Sequence, residues 1–122
     1  MIKQGSGCII NISSIFGQNA APMRAAYSTS KSAVNMLTKV LAIEWAKEKI
    51  RVNAIAPGYI ATDNTAPLRA DEQRSRTIME RIPAGRWGQP DDMKGAVVFL
   101  SSSASDYVHG TVLLVDGGWM GR

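Results

Sequence analysis

Apolar and polar positions along the chain fall into short β-branched runs separated by longer helical stretches. Cys8-Ile9-Ile10-Asn11-Ile12 follows the turn signal Gly5-Ser6-Gly7 and predicts a buried strand. From Ala26 to Lys49 there is no Gly or Pro, which predicts a helix of about 24 residues. Val34, Leu37, Leu41 and Trp45 recur at helical spacing on one face, and Met36, Val40 and Ile43 add a second apolar face. A helix apolar on two sides is expected to bury both, one against its own sheet and the other against another subunit. Arg51 to Ala56 predicts a second strand, stopped by Pro57-Gly58. Tyr59 to Gln89 is irregular, with short helical pieces expected around Ala70 to Arg81. Pro90-Asp91-Asp92 opens a further helix, because Pro suits a first turn and acids suit the positive end of the dipole. Its stripe is Met93, Val97, Val98 and Leu100, and it ends at Ser101-Ser102-Ser103. Thr111 to Val115 predicts a third strand, closed by Asp116-Gly117-Gly118.

Strands alternating with helices imply an α/β fold with a parallel sheet, since each parallel crossover needs an intervening helix. Ligands on such sheets bind beyond the carboxyl ends of the strands. That places Ser13-Ser14, Pro57-Gly58 and Asp116-Gly117 along one rim. Three strands leave both faces and one long edge thinly covered, which suggests a missing partner segment.

Composition narrows the picture. The 122 residues allow one domain. The net charge of +4 comes from scattered Lys and Arg without a basic stripe interleaved with aromatics, so no nucleic-acid partner is expected. No apolar run approaches the roughly 20 residues that span a bilayer, and the N-terminus has no apolar signal region. A cytoplasmic, non-membrane location is the resulting expectation. The single cysteine, Cys8, excludes an intrachain disulfide and reads as a buried small hydrophobe.

Candidate chemistry centres on Ser14, Tyr27 and Lys31. Tyr27 and Lys31 are four apart near the start of the long helix, on one face. A free tyrosine titrates near 10 and is a poor base at neutral pH, but a neighbouring ammonium favours its phenolate. The pair is therefore a candidate general acid/base for a hydroxyl proton. Ser14, just past the first strand, could hydrogen-bond a substrate carbonyl or alkoxide oxygen. Each residue alone has a bland explanation, since such a Tyr–Lys pair is common on helix surfaces and Ser14 could be a strand-end serine. Hydrolytic use of Ser14 is poorly supported, because no nucleophile elbow surrounds it and the only histidine, His109, reads as a surface or packing residue.

The combination resembles the short-chain dehydrogenase/reductase family. The matching motifs run in order through the chain. They are Ile9-Ile10-Asn11-Ile12-Ser13-Ser14, Tyr27-Ser28-Thr29-Ser30-Lys31, Arg51-Val52-Asn53-Ala54-Ile55-Ala56-Pro57-Gly58, Pro83-Ala84-Gly85-Arg86-Trp87-Gly88 and Val115-Asp116-Gly117-Gly118. The resemblance implies the C-terminal part of a doubly wound, Rossmann-type parallel sheet, forming a single partial domain over residues 1–122 with the N-terminal half missing. It implies Tyr27 as acid/base and Ser14 as the group orienting the substrate oxygen. It implies that Lys31 lowers the Tyr27 pKa and bonds the nicotinamide ribose. Pro57, Gly58, Ile60 and Thr62 would line the cofactor, with the Ile60 backbone at the carboxamide. The implied cofactor is NAD, with NADP not excluded, and no metal is required. Asn64 to Arg86 would be a loop covering the substrate.

The run from Ala56 to Gly88 is similar to the sugar-acid dehydrogenases of that family, which implies a substrate such as 2-deoxy-D-gluconate. Arg69, Arg74 or Arg76 would be candidates to meet its carboxylate. The glycine-rich cofactor loop and the acidic residue that reads the adenosine ribose do not occur in this sequence. The chain alone is therefore expected to bind NAD weakly. Its expected protein partners are identical subunits, in a tetramer by family resemblance, or a complementing N-terminal half. The alternative is a non-catalytic fragment acting as an oligomerisation or interaction module.

Overall fold

A computed structural model describes all 122 residues. Three strands, β1 (Gly7–Ile12), β2 (Ile50–Pro57) and β3 (Val112–Val115), form one sheet in the order β1-β2-β3. All pairs are parallel, with Gly7 opposite Ile50 through Ile12 opposite Ile55, and Ala54 opposite Val112 through Pro57 opposite Val115. The helices are α1 (Ala25–Trp45), α2 (Ala66–Ala70), α3 (Glu72–Glu80) and α4 (Lys94–Ser101). The third strand starts one residue later than its β-branched run suggests. Thr111 instead donates its N–H to Asn53 Oδ1 at 3.0 Å.

β2 is the central strand and is covered on both faces, which is why Val52 through Ala56 are all buried. Ile50 and Val52 pack with Ala42, Leu41 and Trp45 of α1. On the opposite face, Arg51 reaches the C-terminal end of α4. Its guanidinium donates to the Leu100 carbonyl, to Ser105 Oγ at 2.7 Å and to the Ser102 carbonyl at 3.2 Å. A cation there satisfies carbonyls that α4 leaves open and faces the negative pole of its dipole.

The contact between α1 and the sheet differs from the apolar stripe expected. The buried positions of α1 are Asn35, Thr38 and Ala42, whereas Leu37 is 51% exposed. Two side chains on or just beyond β1 explain this choice. Asn11 Nδ2 donates to Thr38 Oγ1 at 2.9 Å, and Ser13 Oγ donates to Asn35 Oδ1 at 2.5 Å. Buried polar groups are tolerable when paired in this way. The α-helix also stops earlier than expected, at Trp45. A 3-10 turn follows over Ala46–Glu48, and Lys49 takes the left-handed conformation (φ 56°) usually left to glycine.

The core is small. Sixteen residues are buried, with apolar clusters centred on Ile15, Ile82 and Trp119 and on Ala42, Ile50 and Val52. The outer edges of β1 and β3 are unpaired, and Met36, Ile43 and Val98 lie exposed on the helices. Val97 is also exposed, so the stripe expected on α4 buries only Leu100 fully. Cys8 is half-buried, rather than fully buried as expected, and its thiol donates to the Leu100 carbonyl at 3.2 Å. No helix is long and apolar enough to cross a membrane.

A short turn, Ile15–Gly17, follows β1 and lies directly against α1. A Cβ on Gly17 would sit 2.7 Å from Asn35 Nδ2 and 2.9 Å from the Lys31 carbonyl. Gly95, inside α4, meets nothing within 4 Å. Gly17→Ala is expected to destabilise the chain by about 1–3 kcal/mol in urea unfolding through overpacking. Gly95→Ala is expected to stabilise it by about 0.5–1 kcal/mol. Equal effects of the two substitutions would contradict the close approach.

Candidate active site

Three elements deliver Ser14, Tyr27 and Lys31 to one rim. Ser14 leaves β1 in an extended conformation and caps the Ile15–Gly17 turn, its Oγ accepting the Phe16 N–H at 3.2 Å. Tyr27 lies in the first turn of α1, is 44% exposed, and its hydroxyl has no protein partner. Lys31 is one turn further on. Its Nζ donates to the Ile12 carbonyl at 2.9 Å and lies 5.9 Å from the Tyr27 ring centroid. The lysine thus ties the end of β1 to the helix that presents the tyrosine. Asn35 completes the connection by donating to the Gly17 carbonyl at 3.1 Å while accepting from Ser13.

Ser14 and Tyr27 open into a cleft of about 970 Å³, lined also by Pro57, Gly58, Ile60 and Thr62. Lys31 stands behind the tyrosine and does not line it. Gly58 allows the exits of β2 and β3 to meet, because a Cβ there would lie 2.7 Å from Asp116 Cα. Thr65 pins the next segment. Its hydroxyl donates to the Ile60 carbonyl at 2.7 Å and accepts the Thr62 N–H at 3.0 Å. The Ile60 N–H makes no hydrogen bond within the chain.

The segment expected to cover the substrate folds into α2 and α3. Asp71 starts α3 by accepting the Arg74 N–H at 3.0 Å, and Trp87 Nε1 donates to Ser75 Oγ at 3.2 Å. Of the three arginines singled out there, Arg74 lines the cleft, while Arg69 donates to the Thr62 carbonyl and Arg76 lies outside. His109 is exposed, as expected, and no group of side chains could hold a metal.

Three residues at the cleft were not among the sequence candidates. Phe16 sits edge-on to both Tyr27 and Tyr59, at 6.4 and 6.2 Å between centroids. Arg24 lies over the Phe16 ring at 5.5 Å. Tyr59 also packs against Trp87 and Trp119. Burial raises the Tyr59 pKa above its ordinary value, and the charges of Arg24, Arg81 and Arg74 partly oppose that rise. Arg24 carried a usable signal, since it lies one turn before Tyr27. Phe16 and Tyr59 could only be found by knowing that the turns after β1 and β2 face each other.

A parallel sheet of this order, with a serine, a tyrosine and a lysine gathered at its carboxyl rim, defines an α/β protein of the Rossmann-type dehydrogenase class. The chain belongs to the short-chain dehydrogenase/reductase family. The family model described as "Enoyl-(Acyl carrier protein) reductase" matches residues 1–120. The chain is 58% identical over 122 residues to a 2-dehydro-3-deoxy-D-gluconate 5-dehydrogenase of Dickeya dadantii, covering 99% of this chain and 48% of that protein. A protein of the same name from Bacillus subtilis is 57% identical, with 100% and 48% covered. Among solved structures, a gluconate 5-dehydrogenase from Burkholderia cenocepacia in complex with NADP and tartrate superposes with a TM-score of 0.97 at 45% identity. That match covers 99% of this chain and 48% of the other. The chain thus spans about half the length of the curated relatives it matches.

Below the cleft, Arg86 grips Asp92 through two hydrogen bonds of 2.7 and 2.9 Å, and the Gln89 N–H adds a third at 2.7 Å. These bonds, Arg86 first, hold the Asp92 carboxyl well below the usual carboxylate range. A depressed folded-state pKa contributes stability that is present above the unfolded value and lost as pH falls through the folded value. In an NMR titration, the Asp92 carboxyl carbon signal is expected to show no titration step between about pH 5 and pH 3, where free aspartate titrates. Arg86→Gln is expected to move its titration back toward the ordinary range. An unchanged Asp92 curve in that variant would contradict the assignment.

Proposed function

We propose that this chain carries the proton-transfer and substrate-facing half of an NAD(P)-dependent dehydrogenase that oxidises a secondary alcohol of a sugar acid, or reduces the ketone. The observation that carries this reading is that Ser14 and Tyr27 line one cleft, with the Lys31 ammonium 5.9 Å from the Tyr27 ring centroid. The names of the relatives, sugar-acid dehydrogenases at up to 58% identity, support the substrate class.

In the oxidative direction, Ser14 Oγ hydrogen-bonds the substrate hydroxyl oxygen and holds it toward Tyr27. The Tyr27 phenolic oxygen takes the hydroxyl proton, and Lys31 offsets the negative charge on the phenolic side of that exchange. In the reductive direction Tyr27 returns the proton to the substrate oxygen. Bound NAD(P) supplies the hydride acceptor or donor at the reacting carbon.

The residues present fit the nicotinamide end of such a cofactor. The Ile60 N–H is unengaged while its carbonyl is taken by Thr65, so a carboxamide oxygen would find a donor there. Lys31 uses one of its ammonium protons on Ile12, leaving others for a ribose hydroxyl. Tyr27, Lys31, Pro57, Gly58, Ile60 and Thr62 would hold this end. The 122 residues contain no glycine-rich loop for the pyrophosphate, so tight binding needs a cofactor-binding half. NAD is the form the sequence resemblance implies, and the solved Burkholderia relative is named with NADP.

A second reading, an interaction module, rests on the exposed apolar face of α1. Met36, Leu37, Val40 and Ile43 are all exposed there, Ile43 at 81%. The two readings are compatible, because a dehydrogenase subunit can use the same face to pair with a second copy.

Two sets of measurements test these readings. With an N-terminal cofactor-binding half supplied, NAD(P)H formation on 2-dehydro-3-deoxy-D-gluconate or D-gluconate is expected. Tyr27→Phe should lower kcat by about 10²–10⁴-fold, and Ser14→Ala by about 10²–10³-fold. Full turnover in Tyr27→Phe would refute the assignment. Calorimetry on the chain alone should detect little NAD binding. For the exposed face, sedimentation should give an assembly larger than the monomer, and Ile43→Glu should shift it toward monomer; a monomeric parent chain would remove that reading.

A further inference from the structure

We propose that Arg24 and Arg74 together bind the carboxylate of the substrate, and so make the cleft selective for sugar acids over neutral polyols. This rests on the sugar-acid reading above and assigns the residues that read the acid. The cleft lining contains these two guanidiniums and no aspartate or glutamate. The two arginines come from separate elements, Arg24 from the N-cap of α1 and Arg74 from α3. Neither belongs to any salt bridge of the chain, whose ion pairs are Arg51–Asp106, Arg86–Asp92 and Lys94–Asp91. Neither guanidinium donates a hydrogen bond to a protein acceptor.

The placement of Arg24 is costly without a ligand. A cation at the start of a 21-residue helix opposes the helix dipole, and α1 has no acidic residue in its first turn to compensate. Stacking on Phe16 fixes the guanidinium beside the ring that also touches Tyr27 and Tyr59. The charges of Arg24 and Arg74 both oppose the rise that burial gives the Tyr59 pKa, as does that of Arg81, whose guanidinium lies over Trp119 at 4.3 Å. Two positive groups lining one cleft without an acidic neighbour favour an anionic ligand over a neutral one. A planar carboxylate suits the guanidinium fork.

The geometry also orients the substrate. Arg24 is the N-cap residue of α1 and Tyr27 lies in its first turn, and both line the cleft. Arg24 and Tyr27 therefore address two points on one short chain, the acid at one end and the reacting hydroxyl further along. Arg69 and Arg76, on the same segment as Arg74, lack this placement: one is bonded to the Thr62 carbonyl and the other lies off the cleft.

Side-chain NMR of the arginine Nε–Hε groups in the 122-residue chain tests the proposal, with D-gluconate, D-glucitol and inorganic phosphate as probes. D-gluconate is expected to shift the Arg24 and Arg74 signals saturably, with D-glucitol shifting neither. Arg24→Gln combined with Arg74→Gln should weaken gluconate binding by about tenfold or more. Arg24→Lys should retain part of it, and Arg76→Gln should change nothing. If gluconate perturbs Ser14 and Tyr27 but neither arginine, or if phosphate shifts both arginines as strongly as gluconate, the carboxylate assignment fails and the sugar-acid reading stands. If gluconate binds no better than glucitol to the parent chain, both fail.

Discussion

The structure depends on one close approach, that of the turn after β1 to the middle of α1. Gly17 brings backbone so close to Asn35 and the Lys31 carbonyl that any Cβ there forces a neighbour to shift. Around that contact, Asn35 is bonded on both sides, to Ser13 and to Gly17, while Ser32 donates to the same Gly17 carbonyl at 3.0 Å. Hydrophobic burial alone would let a helix slide or rotate over a sheet. A buried seam of directional bonds does not, because an unpaired polar group there costs far more than a displaced methyl. The seam holds the serine and the tyrosine, which come from different elements, in a fixed relation.

Much of the fold was legible in the sequence because it obeys simple rules. The three β-branched runs became three parallel strands, and the long stretch without Gly or Pro became α1. The rim positions followed from the strand ends. What escaped reading were features set by tertiary contact. The sheet-facing side of α1 is Asn35, Thr38 and Ala42 because Asn11 and Ser13 demand polar partners. No periodicity count reveals that. The end of α1 was hidden because Lys49, not glycine, takes the left-handed turn.

The candidate site divides in the same way. Ser14, Tyr27 and Lys31 could be proposed from residue type and spacing, since one helix carries two of them and a strand end carries the third. Phe16 and Tyr59 depend on how the turns after β1 and β2 face each other across the cleft, whereas Arg24 lies three residues before Tyr27. The family resemblance implied a covering segment over residues 64–86 but not which of its arginines lines the cleft. Asp71 starts α3 and Trp87 anchors it through Ser75, and Arg74 on that helix lines the cleft.

Lys31 ties the strand register to the candidate site. Its ammonium reads one particular carbonyl, that of Ile12, just as Thr38 reads the Asn11 side chain on the same strand. A shift of β1 by one residue would turn every side chain to the opposite face. The lysine would lose its anchor and Thr38 its partner in the same event. A chain that folded with the wrong register would therefore lose the arrangement of its rim as well as the packing of its core, in a single event.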